Sequence, residues 1–153
     1  MDISMGQVDE KKLLLQSYFS RNGVLLCNNN KELPSLFDVG GDWNSIIALI
    51  EQGEVFYSKI YKSRVTYLSH DFYYLVKPYK QRADKLSSGS KELFEFINTA
   101  GPVNTKEIKN RLMLSAKLFS SCMDELFKEL LVTAVQRDET MNQNWSYLLM
   151  GHL

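Results

Sequence analysis

In the last third of the chain, Leu118, Phe119, Cys122, Met123, Leu126, Phe127 and Leu130 step alternately by one and by three. That spacing draws a single broad stripe along an α-helix and fits no strand. Ser115 stands where a cap belongs, and Ser115, Lys117, Ser120, Ser121, Asp124 and Lys128 are left for the polar face. Upstream, Asn104 and Glu107 have the spacing of a capping box just before Ile108 and Leu112. Downstream, Val132 to Val135 form a β-rich run, and Trp145 to Leu149 form another after the polar interval DETMNQN. The pattern predicts helices near 105–112 and 116–130 and strands near 132–137 and 145–150. A short helix, a turn, a longer amphipathic helix and a hairpin follow one another in the order of a winged helix-turn-helix.

A looser version of the same order precedes it. Leu13, Leu14, Leu15, Tyr18 and Phe19 fit a first helix over 10–20, ended by Asn22 and Gly23, with a short extended stretch at Val24 to Leu26. NNNKELPSLFDVGGD reads as loop. Asp42 is placed to cap a helix over 43–52 that carries Ile46, Ile47 and Ile50 on one face, with Gly53 past its end. VFYSKI, YKSR and VTYL then read as a hairpin with strands near 55–60 and 65–68. Ser69 starts another helix, with Asp71 in its first turn and Pro78 ending or kinking it. Its aromatics Phe72, Tyr73 and Tyr74 are expected to pack between the halves. After the break LSSGS, Ser90 is expected to cap a helix over 90–99. The fold class expected is α+β, mostly helical, with tandem winged helix-turn-helix modules in residues 1–85 and 86–153.

At 153 residues and 44% hydrophobic content the chain can bury a core of ordinary size. Lysines and arginines number 18, as do aspartates and glutamates, so the molecule as a whole has no field to steer it toward nucleic acid. The distribution changes this picture, because residues 54–85 carry seven basic against three acidic side chains, a local excess of four. With only Cys27 and Cys122, the latter on an apolar stripe, reduced thiols are expected. The start MDISMGQVDE lacks the features of a signal peptide and no apolar run is long enough for a membrane span, so a cytoplasmic protein with no membrane partner is expected.

Candidate chemistry is sparse. Gly40 and Gly41 lead into a helix, but no lysine follows at the Walker spacing and Asp42 would sit where a phosphate belongs. His70, in a helix's first turn, reads as a capping-region residue, and His152, near the end of the sequence, as a frayed terminal residue. Cys122 reads as buried packing rather than a nucleophile. The carboxylate pairs Asp124 and Glu125, and Asp138 and Glu139, read as solvated surface with no third ligand for a metal. No catalytic residue, metal site or cofactor is expected.

Binding is the better-supported activity. Lys59, Lys62, Arg64, Lys77, Lys80 and Arg82 are interleaved with tyrosines over 57–82, which suits phosphates flanked by aromatic or hydroxyl partners. A plainer account is that strand alternation puts the lysines on the solvent face while the tyrosines pack. In the second module, Lys117, Ser120 and Ser121 can approach a major groove, with Arg137 and the Asn142 to Asn144 segment on the flanking backbone. Asp124, Glu125 and Glu129 on the same helix argue against deep insertion.

The tandem order, with GPVNTKEIKNRL, an amphipathic helix, LLVTAVQ and NWSYLLM in the second unit, resembles the C-terminal winged-helix region of the AlkZ-type DNA glycosylases, over roughly the last two thirds of the chain. The resemblance implies a winged-helix fold and DNA binding. It does not imply catalysis here, because the Gln-x-Gln type motif used by glycosylases of that group is absent, Gln143 being flanked by asparagines. The expected function is therefore non-enzymatic binding of double-stranded DNA, in transcription regulation or DNA repair. The alternatives are a protein-interaction or homodimerisation module and a divergent glycosylase.

Overall fold

The computed structural model describes residues 3–80, 83–137 and 148–152, with side chains described within 10–80 and 84–135. The helices are α1 (Ile3–Phe19), α2 (Trp43–Glu51), α3 (His70–Val76), α4 (Ser88–Ala100), α5 (Thr105–Leu112) and α6 (Ala116–Lys128), and the strands are β1 (Val24–Leu26), β2 (Val55–Tyr61), β3 (Arg64–Ser69), β4 (Val132–Arg137) and β5 (Leu148–His152). The α+β expectation is met, and α2, α4, α5 and α6 lie within two residues of their expected limits. β2, β3 and β4 do so as well, and β5 is described from Leu148 within its expected span, while residues 138–147, which hold the expected wing and the expected start of that strand, lie outside the described residues. α1 starts well before residue 10, the limit that the leucines alone suggested.

The strands form two antiparallel sheets. β3 is the centre of the first, paired with β2 through Tyr57 opposite Tyr67 and with β1 through Leu25 opposite Tyr67; β4 and β5 form the second.

Local signals explain most helix starts. Asp42 accepts from the Ser45 amide at 2.9 Å while the Ser45 hydroxyl accepts from the Asp42 amide at 2.8 Å, a complete capping box on α2. Ser69, Asn104 and Ser115 cap α3, α5 and α6 as expected. For α4 the cap is Ser87, not Ser90: the Ser87 hydroxyl accepts from the Ser90 amide, and Ser90 itself is buried in the first turn. Both serines precede the apolar run, so the run alone does not distinguish them. Pro78 ends α3, which gives way to a single 3-10 turn over Lys77–Tyr79.

Two helix ends share one device. After α2, the Gly53 amide donates to Ile50 O and the Glu54 amide to Leu49 O, with Gly53 at φ 74°. After α6, the Leu130 amide donates to Phe127 O and the Leu131 amide to Leu126 O, with Leu130 at φ 56°. Both are Schellman closures that deliver the chain directly into a strand, but α6 uses leucine where glycine is usual. Leu130 is 1% exposed and packs with Leu68 and Tyr73, so a buried side chain there offsets the left-handed backbone.

The two helix-strand units interlock. α6 packs on β2, α2 packs on β4, and β2 and β4 lie side by side. One continuous core runs from Leu15 through Ile46, Ile50, Val55 and Tyr57 to Leu93, Ile108, Leu126, Phe127 and Val132. The boundary expected near residue 85 thus crosses a shared core. Tyr73 does pack between the halves, against Leu130, but Tyr74 is 52% exposed. Leu118 also departs from the expected stripe. It lies in the first turn of α6, where the stripe opens to solvent, and is 48% exposed.

Candidate nucleic-acid interface

β2 alternates between two covered faces. Phe56 and Ile60 pack toward Tyr73 of α3, whereas Val55 and Tyr57 face the main core, where Tyr57 meets Phe127 edge-on at 4.8 Å. Lys59 continues the Val55 and Tyr57 face. Its ammonium lies 2.6 Å from Asp124 Oδ1 of α6, and its side chain is only 22% exposed. The plainer account of the sequence, lysines outward and tyrosines inward, is thereby corrected for Lys59: the distant α6 covers that face of the strand, which alternation alone does not reveal.

The pairing of Lys59 with Asp124 joins the two stretches that the sequence marked separately. In an α-helix, residues three, four and seven apart share a side, so Lys117, Ser120 and Ser121 stand on the same side of α6 as Asp124. All three are exposed. The outer end of the β2–β3 hairpin therefore lies next to the polar side of α6. The side chain of Arg137 lies outside the described residues, as does the Asn142 to Asn144 segment.

The acidic residues of α6 are not the solvated pair expected. Asp124 is engaged by Lys59, and Glu125 points the other way, to the start of α4. There its carboxylate accepts from the Ser87 amide at 2.8 Å and from the hydroxyls of Ser90 at 2.7 Å and Ser87 at 3.1 Å. Burial alone would raise the Glu125 pKa, but the Ser90 and Ser87 hydrogen bonds outweigh it and hold the carboxyl below its usual range. Two of the three carboxylates that argued against groove insertion are thus committed to internal partners.

At the hairpin turn, Lys62 and Ser63 both have positive φ, 49° and 61°, and Tyr61 pairs with Arg64 across them. This is the backbone of a two-residue type I′ turn, here built without glycine or asparagine. Lys62 Nζ lies 2.6 and 2.8 Å from the two oxygens of Glu32, and the Tyr61 hydroxyl also donates to Glu32. Arg64 has no carboxylate within ion-pair distance among the described residues. Beside the turn is a polar cleft of about 650 Å³ lined by Asn28, Asn29, Lys31, Lys59 and Arg64 among others. The asparagine run and Lys31, read from sequence only as loop, therefore belong to this surface.

A second depression of about 320 Å³ lies between α1, the α2–β2 turn and the start of α3, lined by Gln16, Phe19, Glu54, His70 and Asp71 among others. The Gln16 amide donates to both Glu54 oxygens, at 3.1 and 3.3 Å, and His70 Nδ1 is 3.5 Å from Asp71. Gln16 and His70 looked isolated in the sequence because the elements that line this depression come together only in the fold. No group of three His, Cys, Asp or Glu side chains among the described residues is arranged to hold a metal. No described helix is long and apolar enough to cross a membrane.

These features define a small α+β protein with a cationic hairpin seated against the polar side of a helix. The model of the AlkZ related family matches residues 37–148, most of the chain, and the protein belongs to that family. Membership points to a DNA-related function. Comparison with curated proteins and with solved structures gave no match.

Proposed function

We propose that this chain is a non-enzymatic, winged-helix protein that binds double-stranded DNA, with α6 as the groove-facing helix and the β2–β3 hairpin on the adjoining phosphates. The Lys59–Asp124 ion pair carries this reading, because it sets the hairpin that bears Lys62 and Arg64 against the helix that bears Lys117, Ser120 and Ser121. Arg64 and Lys117 supply exposed cations for phosphate oxygens, and Ser120 and Ser121 supply short hydroxyls suited to base edges or phosphates. The order α4, α5, α6, β4, β5 supports the winged-helix assignment, and the α2, β2, β3 order supports a partial, earlier copy.

Fluorescence anisotropy on mixed-sequence duplex DNA tests the reading. Binding should weaken linearly in log–log form as salt rises, and each phosphate-contacting cation removed should flatten the slope by about one unit. Absence of salt-sensitive binding at about 50 mM salt would overturn it.

One observation favours protein contact instead. Met113 is 87% exposed and Leu118 48% exposed at the start of α6, an apolar pair beside the polar side. Under that reading the same surface takes a second copy of the chain or another protein, and concentration-dependent sedimentation would appear where DNA binding does not. The divergent-glycosylase reading would place its chemistry in the Gln16 and Glu54 depression, and base-release assays on alkylated DNA are expected to be negative.

A further inference from the structure

We propose that the β2–β3 turn is a phosphate-binding site and that Glu32 is its resident occupant, a carboxylate standing where a DNA backbone phosphate would sit. The inference rests on the DNA-binding reading and specifies the phosphate contact within it. The donor set is the first ground. Lys62 reaches both Glu32 oxygens, Tyr61 adds its hydroxyl, and the Lys62 ammonium also lies 5.4 Å from the centre of the Tyr61 ring. An ammonium and a hydroxyl converging on two oxygens of one anion form a set that phosphate accepts equally well. Hydrogen bonds from Lys62 and then from Tyr61 hold the Glu32 carboxyl below its usual pKa range, with a further pull from the Arg64 charge. The Lys62 ammonium and the Tyr61 hydroxyl therefore converge on the same small volume.

The loop that delivers Glu32 is itself ordered for the purpose. Asn30 Oδ1 accepts from the amides of Glu32 and Leu33, both at 2.8 Å, while its amide nitrogen donates to the Asn28 and Leu33 carbonyls at 3.1 Å. The carboxylate is thus presented from a fixed turn, yet the Lys62–Glu32 pair is solvent-exposed, at 55% and 44% of the two side chains. Exposed ion pairs are weak and exchange readily. Behind Glu32, the cleft offers Lys31 and Arg64, neither of which has a carboxylate within ion-pair distance among the described residues. A nucleic-acid strand displacing Glu32 would meet these further cations, whereas Glu32 itself extends no further.

The test is an NMR titration of the isotopically labelled full chain, wild type and Glu32→Gln, with inorganic pyrophosphate in one arm and a short DNA duplex in the other. Glu32→Gln keeps the size of the side chain and removes its charge. Pyrophosphate is expected to shift the Tyr61, Lys62 and Ser63 amides at about fivefold lower concentration in Glu32→Gln than in wild type, the factor that one exposed charge contact supplies. Duplex affinity at low salt should rise similarly, with a salt slope steeper by about one unit. Adding Lys62→Ala to Glu32→Gln should abolish both gains. Equal pyrophosphate responses in wild type and Glu32→Gln would overturn the phosphate site, even if wild type binds duplex with the expected salt dependence. Preferential pyrophosphate binding by Glu32→Gln with no duplex binding by either form would support the phosphate site and overturn the DNA reading.

Discussion

Thr133 takes the place of a neighbouring strand for Tyr57. Its hydroxyl accepts from the Tyr57 amide and donates to the Tyr57 carbonyl, each at 3.0 Å, so one side chain on β4 satisfies both backbone groups of a buried residue on β2. The two sheets are stitched at this point without a backbone ladder between them. Thr133→Val keeps the shape and strands a buried donor and a buried acceptor, and should destabilise by about 2 to 4 kcal/mol. Thr133→Ser retains the hydroxyl and should cost less than about 1 kcal/mol. Urea unfolding of the two variants checks this, and equal losses would mean that packing of the methyl group, not the hydrogen bonds, matters there.

Leu126 is fully buried on the inner side of α6, and Lys117 is exposed on its polar side. Leu126→Ala should cost roughly 2 to 5 kcal/mol, and Lys117→Ala should stay within about 0.5 kcal/mol. Chemical denaturation showing both to be mild would contradict the orientation of the helix.

Ser63 holds a left-handed backbone at φ 61° without the glycine that such a turn favours. Ser63→Gly should stabilise the protein by about 0.5 to 1 kcal/mol, the relief of strain exceeding the extra freedom of the unfolded chain. Thermal unfolding should show a higher midpoint, and a fall would indicate that the serine side chain has a stabilising role.

The candidate cations should separate by their partners. Arg64→Ala and Lys117→Ala are expected to weaken duplex binding and flatten the salt slope by about one unit each. Lys59→Ala should also lower stability by about 0.5 to 1 kcal/mol, because it deprives Asp124 of its ion-pair partner. Paired anisotropy and unfolding measurements distinguish these effects; a stability loss for Arg64→Ala matching that of Lys59→Ala would contradict the assignment.

Acid should loosen the molecule through two carboxylates in particular. Glu125 is depressed as described; for Asp42, burial pushes upward but is outweighed by the Ser45 amide and hydroxyl and by Lys11, leaving its pKa lowered as well. A carboxyl depressed in the folded state contributes stability that is present above its unfolded pKa of about 4 and is lost as pH falls through its folded value. Stability should decline as the pH drops below about 5. Glu125→Gln should lower the neutral-pH plateau and flatten part of that decline, and an unchanged acid limb would show that other groups control it.

The elements were legible because their signals are local. Asp42, Ser69, Asn104 and Ser115 announce helix starts through hydrogen bonds that span three residues, and the α6 stripe repeats within one helix. What escaped the sequence depends on partners far along the chain. Ser87 rather than Ser90 caps α4 while both are held by Glu125, 38 and 35 residues away. Lys59 turns inward because Asp124, 65 residues later, meets it. The candidate surface was visible as two unrelated patches, and only the packing of β2 on α6 brings them together. Lys31 and Asn28 were hidden for the same reason, since nothing in a loop sequence says which strand it will lie against.

The crossed packing of the two helix-strand units also orders events during synthesis. When the first half has left the ribosome, the Val55 and Tyr57 face of β2 has no cover, because Phe127 and Thr133 are still to be made. An interrupted chain would therefore present an apolar strand surface together with a Tyr57 backbone that lacks its Thr133 hydrogen bonds, the combination that promotes sticking to other nascent chains. Completion of α6 and β4 removes both hazards together, so the first half of the chain becomes safe only once most of the second half has been made.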